Sequence, residues 1–368
     1  MVKLPDDSIL VVDSGGRTTE RYVPSSNTWI TDTTCPVSLY DSYGTEQGPG
    51  FLLPNGKVFF IGSTPNTAIY TPSGNNNPGS WVTGPSMGSL GAPDAPAAMM
   101  VNGKILCALS PTPYNLGGTN YVFTTPSYFF EYDYSSGSIG AFTQIHAPGG
   151  GYTRNEVTYN DRMLALPDGT ILFTDGGSQL YVYQPDGSPL AAGQPTINNV
   201  QWNSDGSLHI TGTLFNGISQ GAAYGDDAQM DGNYPLVRFS SGGSVYYGHT
   251  YNWSSTSVQT GGQIVTTEVS LPPAVFDYSG SFSLQVVANG NASAPVTFYS
   301  PVWVDFNYSG SPFQFGWYQY PYNTLAGGTN AVTPGWTIAI KSSNSHETMT
   351  ISKPMTIISV YGPSTIGH

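Results

Sequence analysis

The chain has 368 residues, only 9% of them charged, and ten Lys plus Arg against 23 Asp plus Glu give a net charge of −13. A nucleic acid or an anionic membrane surface needs a basic stripe facing its phosphates, and none is present, so neither is expected as a partner. No run reaches the roughly 18 apolar residues of a spanning helix, and no basic-then-apolar leader opens the chain, so membrane insertion is not expected.

Gly (45), Pro (29) and Tyr (25) are abundant and no long helical periodicity occurs, which reads as an all-β chain with many short turns. The first elements are four near-copies of one hairpin: "KLPDDSILVVDS" from Lys3, "FLLPNGKVFFIG" from Phe51, "MMVNGKILCALS" from Met99 and "LALPDGTILFTDGG" from Leu164. Aligned on Asp6, Asn55, Asn102 and Asp168, they lie 49, 47 and 66 residues apart. A β-run follows each turn, at Ile9–Asp13, Val58–Gly62, Ile105–Leu109 and Ile171–Asp175. A second strand then ends near a tyrosine, and Trp29 and Trp81 close the first two units. Such a period with four strands per unit predicts β-propeller blades over residues 1–198, since one unit alone cannot bury both its faces. The third unit is longer through an insertion, Ser110–Pro126, of the kind that lines a site. The chain opens already inside a unit, so an N-terminally incomplete propeller is expected, with a four-unit ring as the alternative. An open ring would expose an apolar face and favour self-association.

The pattern changes near Pro195. About seven short alternating strands predict an immunoglobulin-like sandwich over 199–300. Residues 301–368 read as a strand, a short helix or loop, and strand-turn steps similar to the opening coils of a parallel β-helix. Cys35 and Cys107 lie far apart; Cys107 sits in an apolar strand and reads as a small buried hydrophobe.

The "LPDG…DGG…Y.P" units followed by a sandwich resemble bacterial Kelch-type proteins built like galactose oxidase and glyoxal oxidase, over residues 1–300. The stretch "GISQGAAYGDDAQMDGNYPLVRF" (Gly217–Phe239) resembles the sandwich module that follows the propeller, the E-set domain, in bacterial members. The resemblance implies a mononuclear copper and a tyrosyl radical, held by a Tyr-His pair before the last "LPDG" strand, a sandwich histidine and a Cys-Tyr cross-link. Here the pair reads Tyr159-Asn160, and Asn160 is a poor Cu(II) ligand. His249 is the candidate sandwich histidine, Cys35 lies in the wrong unit for the cross-link, and the units that would carry it are absent. Copper is therefore not expected.

The segments entering the first strand of each unit offer Glu46, Asp94, Glu156, Tyr159, Asn160, Asp161 and Arg162. Glu46, Asp94 and Asp161 are candidates for acid–base work on a glycosidic bond, or for holding a cation. Glu156, Tyr159, Asn160 and Arg162, with Tyr121 from the insertion, are candidates for ligand binding. The alternative is that these residues cap tight entry turns. Asp226, Asp227 and Asp231 stand close on a Gly-containing loop and suit Ca²⁺. The five histidines show no metal-ligand spacing. Aromatic residues are dense in the insertion (Tyr114, Tyr121, Phe123, Tyr128) and in the tail (Trp317, Tyr318, Tyr320, Tyr322), as a glycan-binding surface would be. Low Lys with abundant Ser, Thr, Asn, Gly and Tyr points to a secreted protein. The leading expectation is recognition of carbohydrate or another extracellular ligand. The alternatives are a polysaccharide hydrolase or lyase using the carboxylates, a copper radical oxidase completed by further units, and a structural subunit.

Overall fold

The computed structural model describes residues 1–43, 46–230, 234–277 and 280–367. The chain is all-β, and the α-helices among the described residues are two short ones, Pro273–Phe276 and Leu325–Ala331. Each repeated hairpin contains the same local device. The side chain of Asp6, Asn55, Asn102 or Asp168 accepts the backbone N–H two residues on, at 3.1, 3.1, 3.0 and 3.1 Å. The residue between takes a positive φ, which is why it is Gly56, Gly103 or Gly169; at the first hairpin Asp7 adopts it instead.

Around these turns stand four antiparallel sheets. The first holds Val2–Lys3, Ile9–Val12, Thr19–Val23 and Thr28–Thr31, and the second Gly50–Leu52, Val58–Ile61, Thr67–Thr71 and Ser80–Thr83. The third is built on Pro96–Met99, Ile105–Pro111, Ser127–Asp133 and Ala141–Ile145; the fourth has three strands, Arg162–Ala165, Ile171–Thr174 and Leu180–Tyr183. The recurring tyrosine has a register partner in the next strand: Tyr22 opposite Trp29, Tyr70 opposite Trp81, Tyr132 opposite Phe142. Their rings lie 5.4, 5.0 and 5.2 Å apart, the cross-strand aromatic pairing that stabilises such ladders.

The sheets pack face to face in chain order. Leu10 and Val12 meet Val58, Phe60 and Tyr70; Phe59 stacks on Tyr132 at 3.8 Å; Phe129 meets Phe173 edge-on at 5.3 Å. The opposite faces of the first and fourth sheets keep large apolar side chains in solvent, among them Trp29 (57% exposed) and Val182 (60%). Cys35 and Cys107 are both buried and unpaired.

From Thr196 onward one sheet folds over on itself. The long strand Ser244–Tyr251 pairs with Leu236–Ser241 along its first part and with Val265–Ser270 along its second. The two halves enclose Leu208, Ile210, Phe239, Val269, Leu284 and Val286. The tail stacks Val302–Val304, Thr337–Lys341 and Thr356–Val360 in parallel, with a second parallel pair, Asn344–Ser345 and Thr365–Ile366.

One hairpin leaves the folded-over sheet. Ala222–Tyr224 pairs with the free edge of Pro96–Met99, Ala97 opposite Ala223 and Ala98 opposite Ala222, and turns back through Ala228–Gln229. These four alanines are nearly or wholly buried. A bulkier side chain would not fit where the hairpin lies between the second, third and fourth sheets.

The first two sheets are also joined by charge. Arg21 is wholly buried; its Nε donates to Asp32 at 2.7 Å and its terminal nitrogens reach Ser8 and the carbonyls of Asn75 and Asn77. Burial raises the Asp32 carboxyl, but hydrogen bonds from Tyr70, the Thr33 N–H, Arg21 and the Gly79 N–H outweigh it and hold the group below its ordinary value. Arg21→Ala leaves this carboxylate buried without its cation, and a loss of about 3–5 kcal/mol is expected in urea unfolding. A loss below about 1 kcal/mol would show that the network is not a structural joint.

Candidate carboxylate site

Three chain segments converge at one end of the first three sheets. Glu46 is positioned by its backbone: its N–H donates to Asp41 at 3.2 Å, and its carbonyl accepts from Asp41 N–H and from Ser63 Oγ at 2.6 Å. Asp94 lies in the turn entering Pro96–Met99 and holds a left-handed φ of 47°. Asp226 arrives on the alanine-rich hairpin, with the Gln47 N–H donating to its carboxylate. Gly225, at φ 49°, makes the approach possible, because a Cβ there would sit 2.8 Å from Asp94 Oδ1. One ligand oxygen from each of Glu46, Asp94 and Asp226 lies within 4.8 Å of the others.

The electrostatics follow from this crowding. Burial, then the charge and hydrogen bond of Asp94, then Asp226 and Asp227, push Glu46 up to about 7. Asp94 is also raised, first by burial and then by Asp227, while its hydrogen bond with Glu46 and the Arg162 charge oppose the rise. Asp226 is raised by burial and by Asp227. The Glu46 carboxyl therefore takes up a proton near neutrality, well above the pH at which an ordinary glutamate does so. Asp94 Oδ1 is buried and has no partner. A cluster of oxygens at this spacing suits a hard cation such as Ca²⁺, or a shared proton when no cation is bound.

Tyr224 is the aromatic residue next to the cluster, within reach of the Asp94 and Asp227 charges. The Arg162 guanidinium lies 3.7 Å over the Tyr224 ring and donates to the carbonyls of Tyr159 and Asp161, both at 2.7 Å. Tyr224 Oη donates to the Tyr159 carbonyl at 3.0 Å. The inserted segment forms a small hairpin, Tyr114–Asn115 with Tyr121–Val122. It sets Phe123 edge-on to Tyr159 at 5.3 Å and Tyr121 6.0 Å from Tyr43. Tyr43, Tyr121 and Tyr159 remain exposed. Asp226 and Asp227 also line a cavity of about 570 Å³, with Val12, Phe60 and Ala223 along its wall, within the usual range for a small-molecule site.

The structure thus joins Glu46, Asp94 and Asp226, with the Asp227 and Arg162 charges acting on them; Tyr159 is linked to Arg162 and Tyr224 through its carbonyl, and Tyr121 packs near Tyr43. Asp161 departs from the expected trio. It is wholly buried, neither carboxylate oxygen has a partner, and the charges acting on it are those of Glu156, Arg154, Asp175 and Arg162. Burial first, then Glu156, pushes it up to about 8. Glu156 forms an ion pair with Arg154, which also binds Asp175. Asn160 is exposed beside Tyr159. Asp226 and Asp227 sit on the hairpin tip against the third sheet, not on a loop of the later sheet, because the hairpin pairs with Pro96–Met99; Asp231 lies outside the described residues. His249 is exposed in Ser244–Tyr251, and among the described residues no histidine joins the carboxylate group. Sequence reading missed Tyr224, Gly225 and Tyr43. The run "GAAYG", too small and apolar for a solvated loop, was the available signal.

A carboxyl raised by folding holds its proton more tightly in the folded chain, so it contributes stability at low pH that is lost as pH rises through its folded value. In a chelator, Glu46→Gln is therefore expected to gain thermal stability over the wild type progressively between about pH 4.5 and 7, and Asp161→Asn between about pH 4 and 8. Scanning fluorimetry from pH 4 to 9 measures both; a difference independent of pH would refute the assignment.

No protein-family description and no curated protein matches the chain. Among solved structures it is similar to a fungal alcohol oxidase of the AA5 family in complex with copper, at 15% identity and a TM-score of 0.29, over 81% of this chain and 74% of that one. It is also similar to the extracellular domain of a hybrid two-component system from B. thetaiotaomicron, at 12% identity and a TM-score of 0.26, over 79% of this chain and 37% of that one. At TM-scores this low, neither likeness carries information about the site.

Proposed function

We propose that this chain is a secreted carbohydrate-recognition protein of the galactose-oxidase-like Kelch class, which binds its ligand at the Glu46–Asp94–Asp226 cluster through a Ca²⁺-type cation and the surrounding rings. In this reading the four repeated sheets are propeller blades spanning 1–198, the folded-over sheet is an immunoglobulin-like (E-set) module over 199–300, and 301–368 opens a parallel β-helix. The four identical side-chain-capped turns, the face-to-face packing in chain order and the parallel rungs of the tail support that organisation.

The observation that carries the functional reading is the oxygen-only cluster of Glu46, Asp94 and Asp226, with the Tyr224 ring beside it and exposed Tyr159 linked to that ring through its carbonyl. Carboxylate oxygens bind a hard cation, the cation accepts sugar hydroxyls as further ligands, and the rings stack on the apolar face of the sugar. Glu46 and Asp94 would hold the cation with Asp226, and their shared proton would leave when it binds. The donor set contains neither imidazole nor thiolate, so it suits Ca²⁺ better than copper.

The test is calorimetric titration with Ca²⁺, followed by a neutral glycan array with and without chelator. One Ca²⁺ per chain is expected. Asp94→Asn, which tolerates the same left-handed backbone, should weaken it at least about tenfold, roughly 1.4 kcal/mol. Tyr159→Ala should leave Ca²⁺ affinity unchanged and reduce glycan binding. No Ca²⁺ uptake at millimolar concentration by the folded chain would overturn the proposal, as would copper uptake with production of H₂O₂.

A further inference from the structure

The tail carries a second aromatic surface, which shares no residue with the carboxylate site. Between Asp305 and Lys341 the sequence contains no Asp, Glu, Lys or Arg. This stretch sorts its aromatic residues into two sets. Tyr318 turns inward, its ring 4.9 Å from both Trp303 and Phe276, and Tyr322 packs into the tail core. Phe313 and Phe315 turn outward and are 65% and 48% exposed. Their rings lie 6.3 Å apart with planes within 1° of parallel. Trp317 continues the row 4.9 Å from Phe315, and the exposed ring of Tyr320 stands 5.9 Å away.

The surface is held rigidly by its backbone. The N–H groups of Phe315 and Gly316 both donate to the Tyr320 carbonyl, at 2.9 and 3.1 Å, and Tyr320 N–H donates to the Trp317 carbonyl. The Gly316 carbonyl accepts from Trp303 N–H at 2.9 Å, which ties the turn to the buried strand Val302–Val304. Gly316 is required there: its φ is 70°, and a Cβ would lie 2.8 Å from the Tyr322 ring. The rings are therefore presented in place before any ligand arrives, which reduces the ordering cost of binding.

We propose that Phe313, Phe315, Trp317 and Tyr320 form a binding platform for a neutral polysaccharide chain, separate from the carboxylate site and independent of its function. Charge selects this occupant. The platform offers no cation to an anionic membrane or a nucleic acid, and the nearest lysine in sequence, Lys341, is engaged with the carbonyl and ring of Tyr318. What it offers is exposed ring surface from Phe313, Phe315 and Tyr320, with the exposed amide Gln319 beside Tyr320 in a stretch of sequence without charged side chains. That matches the alternating C–H faces and hydroxyls of an uncharged glycan.

The full chain is tested by affinity electrophoresis in soluble xylan and hydroxyethyl cellulose and by pull-down on microcrystalline cellulose. The wild type should be retarded by at least one of them. The double variant Phe313→Ala/Phe315→Ala should lose retention by about tenfold or more, as expected for two stacking rings, with unchanged circular dichroism because both rings lie outside the core. Asp94→Asn should bind these polysaccharides as the wild type does, which separates this surface from the carboxylate site. The proposal is overturned if none of the three polysaccharides retards the wild type, or if the double variant binds equally well. It is equally overturned if the double variant instead abolishes a concentration-dependent dimer, which would make a second copy the occupant, or abolishes binding to phosphatidylserine vesicles.

Discussion

The ladder between Ala222–Tyr224 and Pro96–Met99 is the constraint on which the site depends. It joins parts of the chain more than a hundred residues apart, and it does so along the one edge of the third sheet's first strand that its own sheet leaves unpaired. Backbone hydrogen bonds of this kind contribute only about 1 kcal/mol each net. The close fit of Ala97, Ala98, Ala222 and Ala223 adds dispersion contact on both sides. Together they offset the cost of carrying Asp226 and Asp227 up to Glu46 and Asp94. Without the ladder, Asp226 would be an ordinary solvated aspartate and the cluster would have two members.

The chain treats its carboxylates in two ways. Asp32, Asp168, Asp175 and Asp205 accept hydrogen bonds from backbone N–H groups or from arginine, and all four are held below their ordinary values. They act as turn and joint residues, and their burial is compensated within the fold. Glu46, Asp94, Asp161 and Asp226 are shifted the other way, chiefly by burial. For Asp161 the compensation is a retained proton, since the surrounding arginines are committed to other partners: Arg154 to Glu156 and Asp175, Arg162 to carbonyls and the Tyr224 ring. Glu46, Asp94 and Asp226 instead bring one oxygen each within 4.8 Å of the others. That distinction separates an isolated buried acid from a group of convergent oxygens.

The parts of this arrangement legible in the sequence are those governed by local chemistry. Asp or Asn followed two residues later by a β-run marks the turn, because the side chain caps the N–H at that spacing, and all four copies form it. The recurrent tyrosines with Trp29 and Trp81 mark neighbouring strands, because cross-strand pairing places them opposite. Glu46 and Asp94 were legible as entry-segment carboxylates for the same reason. Edge pairing is not a local property, so nothing at residues 222–229 states which strand they will join. Asp226 and Asp227 therefore read as part of the module that follows them in sequence. Nor does position next to Arg162 reveal that Asp161 is wholly buried and outside the group that Glu46, Asp94 and Asp226 form.

The backbone at Asp94 bears on what the cluster is for. Asp94 and Gly225 both hold left-handed φ values, 47° and 49°, where their segments meet. Glycine does so without a steric cost, whereas an aspartate does so at a modest one. A glycine at position 94 would relax the backbone, remove a buried oxygen that lacks a partner and lower the repulsion on Glu46 and Asp226. Burial and the Asp226 and Asp227 charges thus act against the carboxylate, while Glu46 and Arg162 act for it. Under the proposed function, a cation sharing oxygens from Glu46, Asp94 and Asp226 would supply the partner that Asp94 Oδ1 lacks and the neutralising charge for all three.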